Sequence, residues 1–175
     1  MTYLTVPLAS THDKAIFSCG KQMLDRYIQK LAGQDMKRRL AVVFILPEEA
    51  GKGADQIAKQ PFKGYYSLSN DNIPYDQVPL DIQKKMPSSY TVLPTTLLGR
   101  LAVDQRFQGK GVGEQLLLDA LKRSYDISAS EIGSVAIVVD PLDRAAVSFY
   151  AQYGFVKLPD RGRMFLPMKT IGQLF

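Results

Sequence analysis

The chain has 175 residues, 46% of them hydrophobic, a single cysteine, and a formal net charge of +5 from 22 Lys and Arg against 17 Asp and Glu. That length suits one domain spanning the chain, residues 1–175, and leaves little room for two; the ordinary apolar content gives no sign of disorder, and a lone Cys19 excludes an internal disulfide. The mild basic excess suits an acidic partner (a nucleotide cofactor, RNA or an acidic protein) as well as it suits an ordinary basic surface.

In chain order, the first ten residues show no basic stretch followed by an apolar core, so no signal peptide is expected. Residues 22–35 place Leu24, Tyr27, Ile28 and Leu31 at helical spacing. Residues 40–46 form a continuous apolar run closed by Pro47, which predicts a strand buried on both faces. This longest apolar run is far below the roughly 20 residues that span a bilayer, so no membrane partner is expected and a soluble, cytoplasmic protein is. Residues 48–60, with Gly51-Lys52-Gly53, predict a loop, and the aromatic-rich 62–69 a second strand. Four prolines, Pro74, Pro79, Pro87 and Pro94, make 70–95 mainly loop, with one helical turn near Ile82. Residues 96–103 predict a third strand. Gly113 to Tyr125 predicts a helix with Leu116, Leu117, Ala120 and Leu121 on one side; 134–139 predicts another strand. Asp143 to Tyr153 predicts a helix with Ala146, Val147 and Tyr150 on one face, and 155–157 and 164–168 predict terminal strands. Strands followed by β-α-β-α-β give an α/β architecture on a mixed sheet.

The turn from the third strand into its helix carries Gly109, Gly111 and Gly113. Glycine permits positive φ and close approach to a ligand. The first N–H groups of a helix lack intrahelical acceptors and, with the helix dipole, suit a pyrophosphate. Arg106 and Lys110 are expected to add charge there. A dinucleotide fingerprint fails, because the third glycine position meets Glu114 or Leu116, and no P-loop run exists. A tightly packed strand–helix turn with no ligand is the bland alternative.

The pattern Gln108-x-x-Gly111-x-Gly113 resembles the Q/R-x-x-G-x-G/A pyrophosphate loop of the GNAT superfamily of N-acetyltransferases. Leu98-Gly99-Arg100-Leu101-Ala102-Val103-Asp104 looks like that family's splayed central strand, and Ala146-Val147-Ser148-Phe149-Tyr150-Ala151-Gln152-Tyr153-Gly154-Phe155 like its A-x-x-F-Y-x-x-x-G-F helix and turn. Outside that core, Phe17-Ser18-Cys19-Gly20, Leu24-Asp25-Arg26-Tyr27-Ile28, Ala32-Gly33-Gln34-Asp35 with Lys37-Arg38-Arg39, and Gly64-Tyr65-Tyr66-Ser67-Leu68-Ser69 resemble the GNAT toxins of bacterial toxin–antitoxin pairs, the TacT, AtaT and KacT group. The resemblance implies a GNAT fold, a mixed central sheet with a splayed central strand flanked by helices. It also implies acetyl-CoA as cofactor, held by Leu101, Ala102, Val103, Gln108, Gly109, Lys110, Gly111, Val112, Gly113 and Phe149. It further implies acetylation of the α-amino group of aminoacyl-tRNA, which blocks translation, together with neutralisation by a ribbon-helix-helix antitoxin and a homodimer.

An amine attacking a thioester needs a polarised carbonyl, a neutral amine and a proton for the departing thiolate. Backbone N–H groups about Leu101 to Val103 suit the first need. Tyr150 suits the third, since a phenol near pKa 10 can donate to a thiolate whose acid is near 8.5; it also occupies the tyrosine that is the general acid in the family motif, although helical periodicity alone reads it as core beside Phe149. Tyr153 reads as packing. No residue supplies a strong base: His12 reads as a surface residue, and water, Asp104 or Asp140 remain. An α-amine near pKa 8, lowered by an adjacent ester, needs little help, whereas a lysine amine near 10.4 needs more. Lys37, Arg38 and Arg39 are the first candidates for phosphate contacts, ahead of Lys84-Lys85, Lys122-Arg123 and Arg161 with Arg163. Cys19 reads as structural, and no metal site is expected. Two other readings stay open: a GNAT enzyme acting on a small amine, polyamine or protein N-terminus, and a non-catalytic binding module.

Overall fold

The computed structural model describes residues 2–49, 58–159 and 162–175. In chain order the elements are β1 (Val6–Pro7), α1 (Gln22–Arg26), a π-helical stretch (Tyr27–Leu31), α2 (Ala32–Lys37), β2 (Val42–Pro47), β3 (Phe62–Pro74), α3 (Leu80–Gln83), β4 (Val92–Val103), α4 (Val112–Ser130), β5 (Ala136–Val139), α5 (Arg144–Gln152), β6 (Val156–Lys157), β7 (Met164–Pro167) and α6 (Met168–Ile171). The strands follow the order β1-β2-β3-β4-β5-β7-β6 in a mixed seven-stranded sheet flanked by helices. The chain divides into two compact units, residues 1–69 with 100–120 and residues 70–99 with 121–175. The predicted loop at 48–60 falls largely on residues 50–57, outside those described.

In the first unit, β2 pairs antiparallel with β1 and β3, from Val42↔Leu68 to Leu46↔Gly64, with a register shift before Pro47↔Phe62. Val43, Phe44, Ile45 and Leu46 are all buried, as a continuous apolar run requires. The predicted helix at 22–35 exists, but its apolar stripe is displaced. Leu31 is 41% exposed, while Leu24, Tyr27, Ile28 and Ala32 are buried and Met36 packs against them. The π-helical stretch adds a residue to its turn, so the position expected at 31 falls on 32. These side chains meet Phe17, Phe62 and Tyr65, with Phe17 stacked on Phe62 at 5.2 Å, and the Tyr65 hydroxyl donates to the Leu24 carbonyl at 2.7 Å. Buried Asp119 on α4 accepts from the Leu4 amide at 2.6 Å, the Tyr66 hydroxyl at 2.7 Å and the Thr5 hydroxyl, which ties the N-terminal segment to the helix. His12 is not on the surface: it is buried, its Nδ1 accepts from the Ala9 amide at 2.9 Å, and burial lowers its pKa.

In the second unit, β3 runs on to Pro74 and β4 begins at Val92, which shortens the loop expected over 70–95. Pro94 does not break β4, because it sits at an exposed position and its carbonyl accepts from the Val135 amide at 2.9 Å. The helical turn near Ile82 is α3. β5 is buried at all four positions and lies parallel to β4 from Thr96↔Ile137 to Leu98↔Val139. β4 continues five residues beyond that register, through Gly99 to Val103, while β5 ends at Val139. β7 pairs antiparallel with β5 and β6. Ile73, Val78, Leu93, Ala136, Val138, Leu158 and Phe165 form this unit's core. Among the described residues, no helix is long and apolar enough to cross a membrane.

Candidate functional site

The turn after β4 is held open from beneath. Asp104 is buried and caps a short 3-10 turn over Gln105–Phe107, accepting from the Arg106 amide at 3.0 Å, the Arg106 Nε at 2.9 Å and the Ser18 amide at 3.2 Å. Burial alone would raise its pKa, but these hydrogen bonds together hold the carboxylate below its ordinary value. Gln108 donates its side-chain amide to the carbonyls of Cys19 at 2.8 Å and Val103 at 2.9 Å. These bonds pin the turn to the strand end and to the N-terminal segment. Gly109 and Gly111 take φ of +73° and +78°, and nothing lies within 4 Å of where a Cβ on either would stand. Glycine is needed there for backbone conformation, and the space before the loop is open. Buried Val112 anchors the start of α4, with exposed Lys110 before it and half-buried Gly113 after it. The first amides of α4 have no intrahelical acceptor.

One expected charge is spent elsewhere. Arg106 forms ion pairs with Asp104 at 2.9 Å and Glu48 at 2.9 Å, so it lends the loop no free cation. Lys110 donates to the Arg106 carbonyl at 3.0 Å beside the turn. In β4, Leu101 and Val103 are half-buried and Ala102 points into the first unit's core, so Ala102 can contribute only backbone. Arg100, which sequence reasoning left without a role, places its guanidinium 3.5 Å from the centre of the Tyr27 ring. Only the folding of two distant segments onto one another reveals that stack.

The second unit explains the Phe-Tyr-x-x-x-Gly-Phe spacing. Asp143 caps the start of α5, accepting from the Ala146 amide at 2.8 Å. At the other end, Phe155 N–H bonds the Tyr150 carbonyl at 3.3 Å and Gly154 N–H the Ala151 carbonyl at 3.1 Å, with Gly154 at φ +90°. This is a Schellman closure, in which glycine supplies the left-handed residue and the residue after it packs back on the last turn. Phe155 does so, its ring 5.3 Å from that of Tyr150, while Phe149 meets Tyr150 edge-on at 5.3 Å and Tyr153 at 5.3 Å. Tyr150 is thus gripped on two sides. Burial alone raises its pKa, with no charged or hydrogen-bonding neighbour contributing, so the phenol stays protonated across ordinary pH.

The first unit holds the loop, the strand end and the run Lys37, Arg38 and Arg39; the second holds Phe149 and Tyr150. The three basic residues are exposed at the end of α2, which also closes in a Schellman pattern: Leu40 N–H to the Asp35 carbonyl at 2.9 Å and Arg39 N–H to the Met36 carbonyl at 3.1 Å, with Arg39 itself at φ +58°. Other basic candidates are partly committed: Lys122 pairs with Asp126 at 3.2 Å, and Arg163 with Asp140 and Asp71, while Arg161 lies outside the described residues. Lys84 and Lys85 are exposed after α3. Asp140 is held by Arg163 at 2.8 Å and Asp104 by Arg106, so neither is an unencumbered base. Cys19 is buried, and burial pushes its thiol up to about 11, which leaves little thiolate and fits a structural role.

A family model described as an acetyltransferase (GNAT) domain matches residues 86–170. The chain is 30% identical to a probable toxin TacT from Sinorhizobium fredii over 171 residues, covering 93% of this chain and 89% of that one. It is 30% identical to a tRNA-acetylating toxin from Mycobacterium tuberculosis over 148 residues, covering 85% of this chain and 81% of that one. Among solved structures, AtaT complexed with acetyl-methionyl-tRNAfMet superposes with a TM-score of 0.86 at 26% identity, covering 98% of both chains. A tyrosine-to-phenylalanine mutant of KacT gives 0.86 at 27% identity, again covering 98% of both. AtaTR bound with acetyl-CoA gives 0.81 at 27%, covering 98% of this chain and 96% of that one.

Proposed function

The chain belongs to the GNAT acetyltransferases and, within them, to the TacT-type toxins, and we propose that it transfers the acetyl group of acetyl-CoA to the α-amino group of aminoacyl-tRNA and so blocks translation. The observation that carries this reading is the reach of the likeness. The generic acetyltransferase match begins at residue 86, whereas the match to TacT covers 93% of the chain and takes in the segment with Phe17, Leu24, Tyr27 and Lys37. A small-amine or N-terminal acetyltransferase reading accounts for the first match and not for the second.

The open, left-handed glycine turn is the cradle that fits acetyl-CoA: a Cβ at Gly109 or Gly111 would project into the space before the loop. We assign the pyrophosphate to the amides of Gly109 to Gly113, with Lys110 supplying positive charge and Gln108 fixing the turn. When bound, acetyl-CoA supplies an acetyl group already activated as a thioester. The amides of Leu101 to Val103, beyond the β5 register, present donors for the carbonyl oxygen. Tyr150 holds the proton for the departing sulfur at its hydroxyl, and Phe149 contributes the cofactor contact beside it. Lys37, Arg38 and Arg39 contact tRNA phosphates. The full chain acts as one catalytic domain in the cytoplasm, as a homodimer, and is neutralised by a ribbon-helix-helix antitoxin. In support, a similar protein has been solved as a KacTA–DNA complex.

A cell-free translation reaction tests this reading. Added protein should arrest synthesis only when acetyl-CoA is present, and Tyr150→Phe should leave synthesis running. Undisturbed translation, with labelled acetate instead accumulating on polyamines or peptides, would move the assignment to the small-amine alternative.

A further inference from the structure

Lys30, Gly33, Gln34 and Lys37 recur at spacings of three and four, which sets them along one face of the helical segment. That face, with Leu8, Lys14 and Met36, lines a pocket of about 460 Å³, the size of a small-ligand site. Lys14, Lys30 and Lys37 are among the residues that line it. None of Lys14, Lys30 and Lys37 has a carboxylate partner among the described residues. Lys14 leans over the floor: its Nζ lies 3.7 Å from where a Cβ at Gly33 would stand, so the missing side chain at Gly33 is what leaves room beneath it. Gathering three like charges around one cavity is unfavourable until an anion sits there.

The chemistry of the walls narrows the occupant. Leu8 and Met36 give an apolar floor that suits the face of a flat ring, and the lysines around it suit phosphates, which a point charge meets from any direction. A helical peptide would need a row of apolar anchors at i, i+4 and i+7, which this floor is too short to supply. Lys37 belongs both to the pocket and to the exposed run with Arg38 and Arg39, so the positive surface continues from the cavity along the end of α2. We propose that this pocket is a nucleotide subsite, which takes a base from a single-stranded stretch of tRNA onto Leu8 and Met36 and its flanking phosphates onto Lys14, Lys30 and Lys37. It rests on the tRNA reading above and adds to it a site with a shape, beyond a charged surface.

The test separates shape from charge. Binding of fluorescently labelled total tRNA to the full-length protein is followed over a range of salt, for wild type, Gly33→Leu and the pair Lys14→Gln with Lys30→Gln. Gly33→Leu fills the floor without changing charge and improves helix propensity, so it should fold; Gly33→Ala serves as the milder second variant. Gly33→Leu is expected to weaken tRNA binding about tenfold, as returning the apolar face of one base from the pocket to water would. The lysine pair should lower the salt slope by roughly 0.7 for each phosphate no longer neutralised. Acetyl-CoA affinity should stay at the wild-type value in all variants. If wild type acetylates charged tRNA and both Gly33→Leu and the lysine pair bind it equally well, the subsite is overturned and the proposed function stands. If wild type neither binds nor acetylates tRNA, both fall. If the variants lose affinity for an acidic peptide and not for tRNA, the pocket is a protein dock and the nucleotide assignment is wrong.

Discussion

At Tyr150 two demands pull against each other. Packing against Phe149 and Phe155 fixes the ring, but the same burial raises its pKa and makes the phenol a weaker acid than it is in water. A thiolate leaving into the same dry surroundings is also a stronger base than its solution pKa of about 8.5 implies, so the match is kept. Tyr150→Phe keeps the ring and should hold thermal stability and acetyl-CoA affinity, while kcat falls by about 10²–10⁴-fold in steady-state transfer assays. Because the phenol stays protonated, the pH profile should rise with deprotonation of the substrate amine, below about pH 8, and then stay level to about pH 9.5; a falling limb in that range would mean that another acid titrates. Asp104 gives a stability prediction with a defined sign. Its folded pKa lies below the unfolded value of about 3.9, so its contribution is complete above about pH 5 and is lost as pH falls through the lower folded value. Asp104→Asn should therefore narrow its stability gap to wild type in acid melts, most of all below about pH 4.

The helix ends give opposite predictions from one geometry. Both α2 and α5 close with a left-handed residue, glycine at 154 and arginine at 39. At Gly154 a Cβ would meet Leu166 at an ordinary 3.6 Å, so the cost of Gly154→Ala is conformational, about 1–2 kcal/mol. It should also lower activity more than that loss of stability explains, because the closure seats Tyr150. Arg39→Gly relieves the same strain and should raise stability by about 1 kcal/mol, yet it removes a cation and should weaken tRNA acetylation. A melting temperature that moves the same way in both variants would contradict the shared closure. Asp119→Ala removes the buried acceptor shared by the Tyr66 and Thr5 hydroxyls and the Leu4 amide, and should cost about 2–3 kcal/mol in denaturant unfolding. Elements with a single strong period were legible in the sequence: β2 as a doubly buried run, α5 between its cap and its glycine. The π-helical stretch was not, because one inserted residue leaves composition unchanged and shifts only which side chain, 31 or 32, faces inward. Nor was the length of β3 and β4, since a proline ends a strand only where its missing N–H would have been used.

For the molecule as a whole, the glycine turn between β4 and α4 was readable because its pattern is local: glycines, a strand end and a helix start within a dozen residues. What escaped was everything made by distant partners. Gln108 also tethers the turn to Cys19, 89 residues away in sequence; Arg106 looked like a free cation and is paired to Glu48; His12 looked exposed and is buried. The three lysines of the pocket carry no signal apart, since 14, 30 and 37 share no motif, and only the fold gathers them. The central assignment concerns where one acetyl group ends up. Purified protein with labelled acetyl-CoA and total aminoacylated tRNA, followed by nuclease digestion and mass spectrometry of the 3′-terminal nucleoside, reads that position directly. Label on the α-amino group of the aminoacyl-adenosine, absent with deacylated tRNA and lost in Tyr150→Phe, is the expected result. Label on the nucleotides themselves, or on no tRNA under conditions where other amines are acetylated, would contradict it.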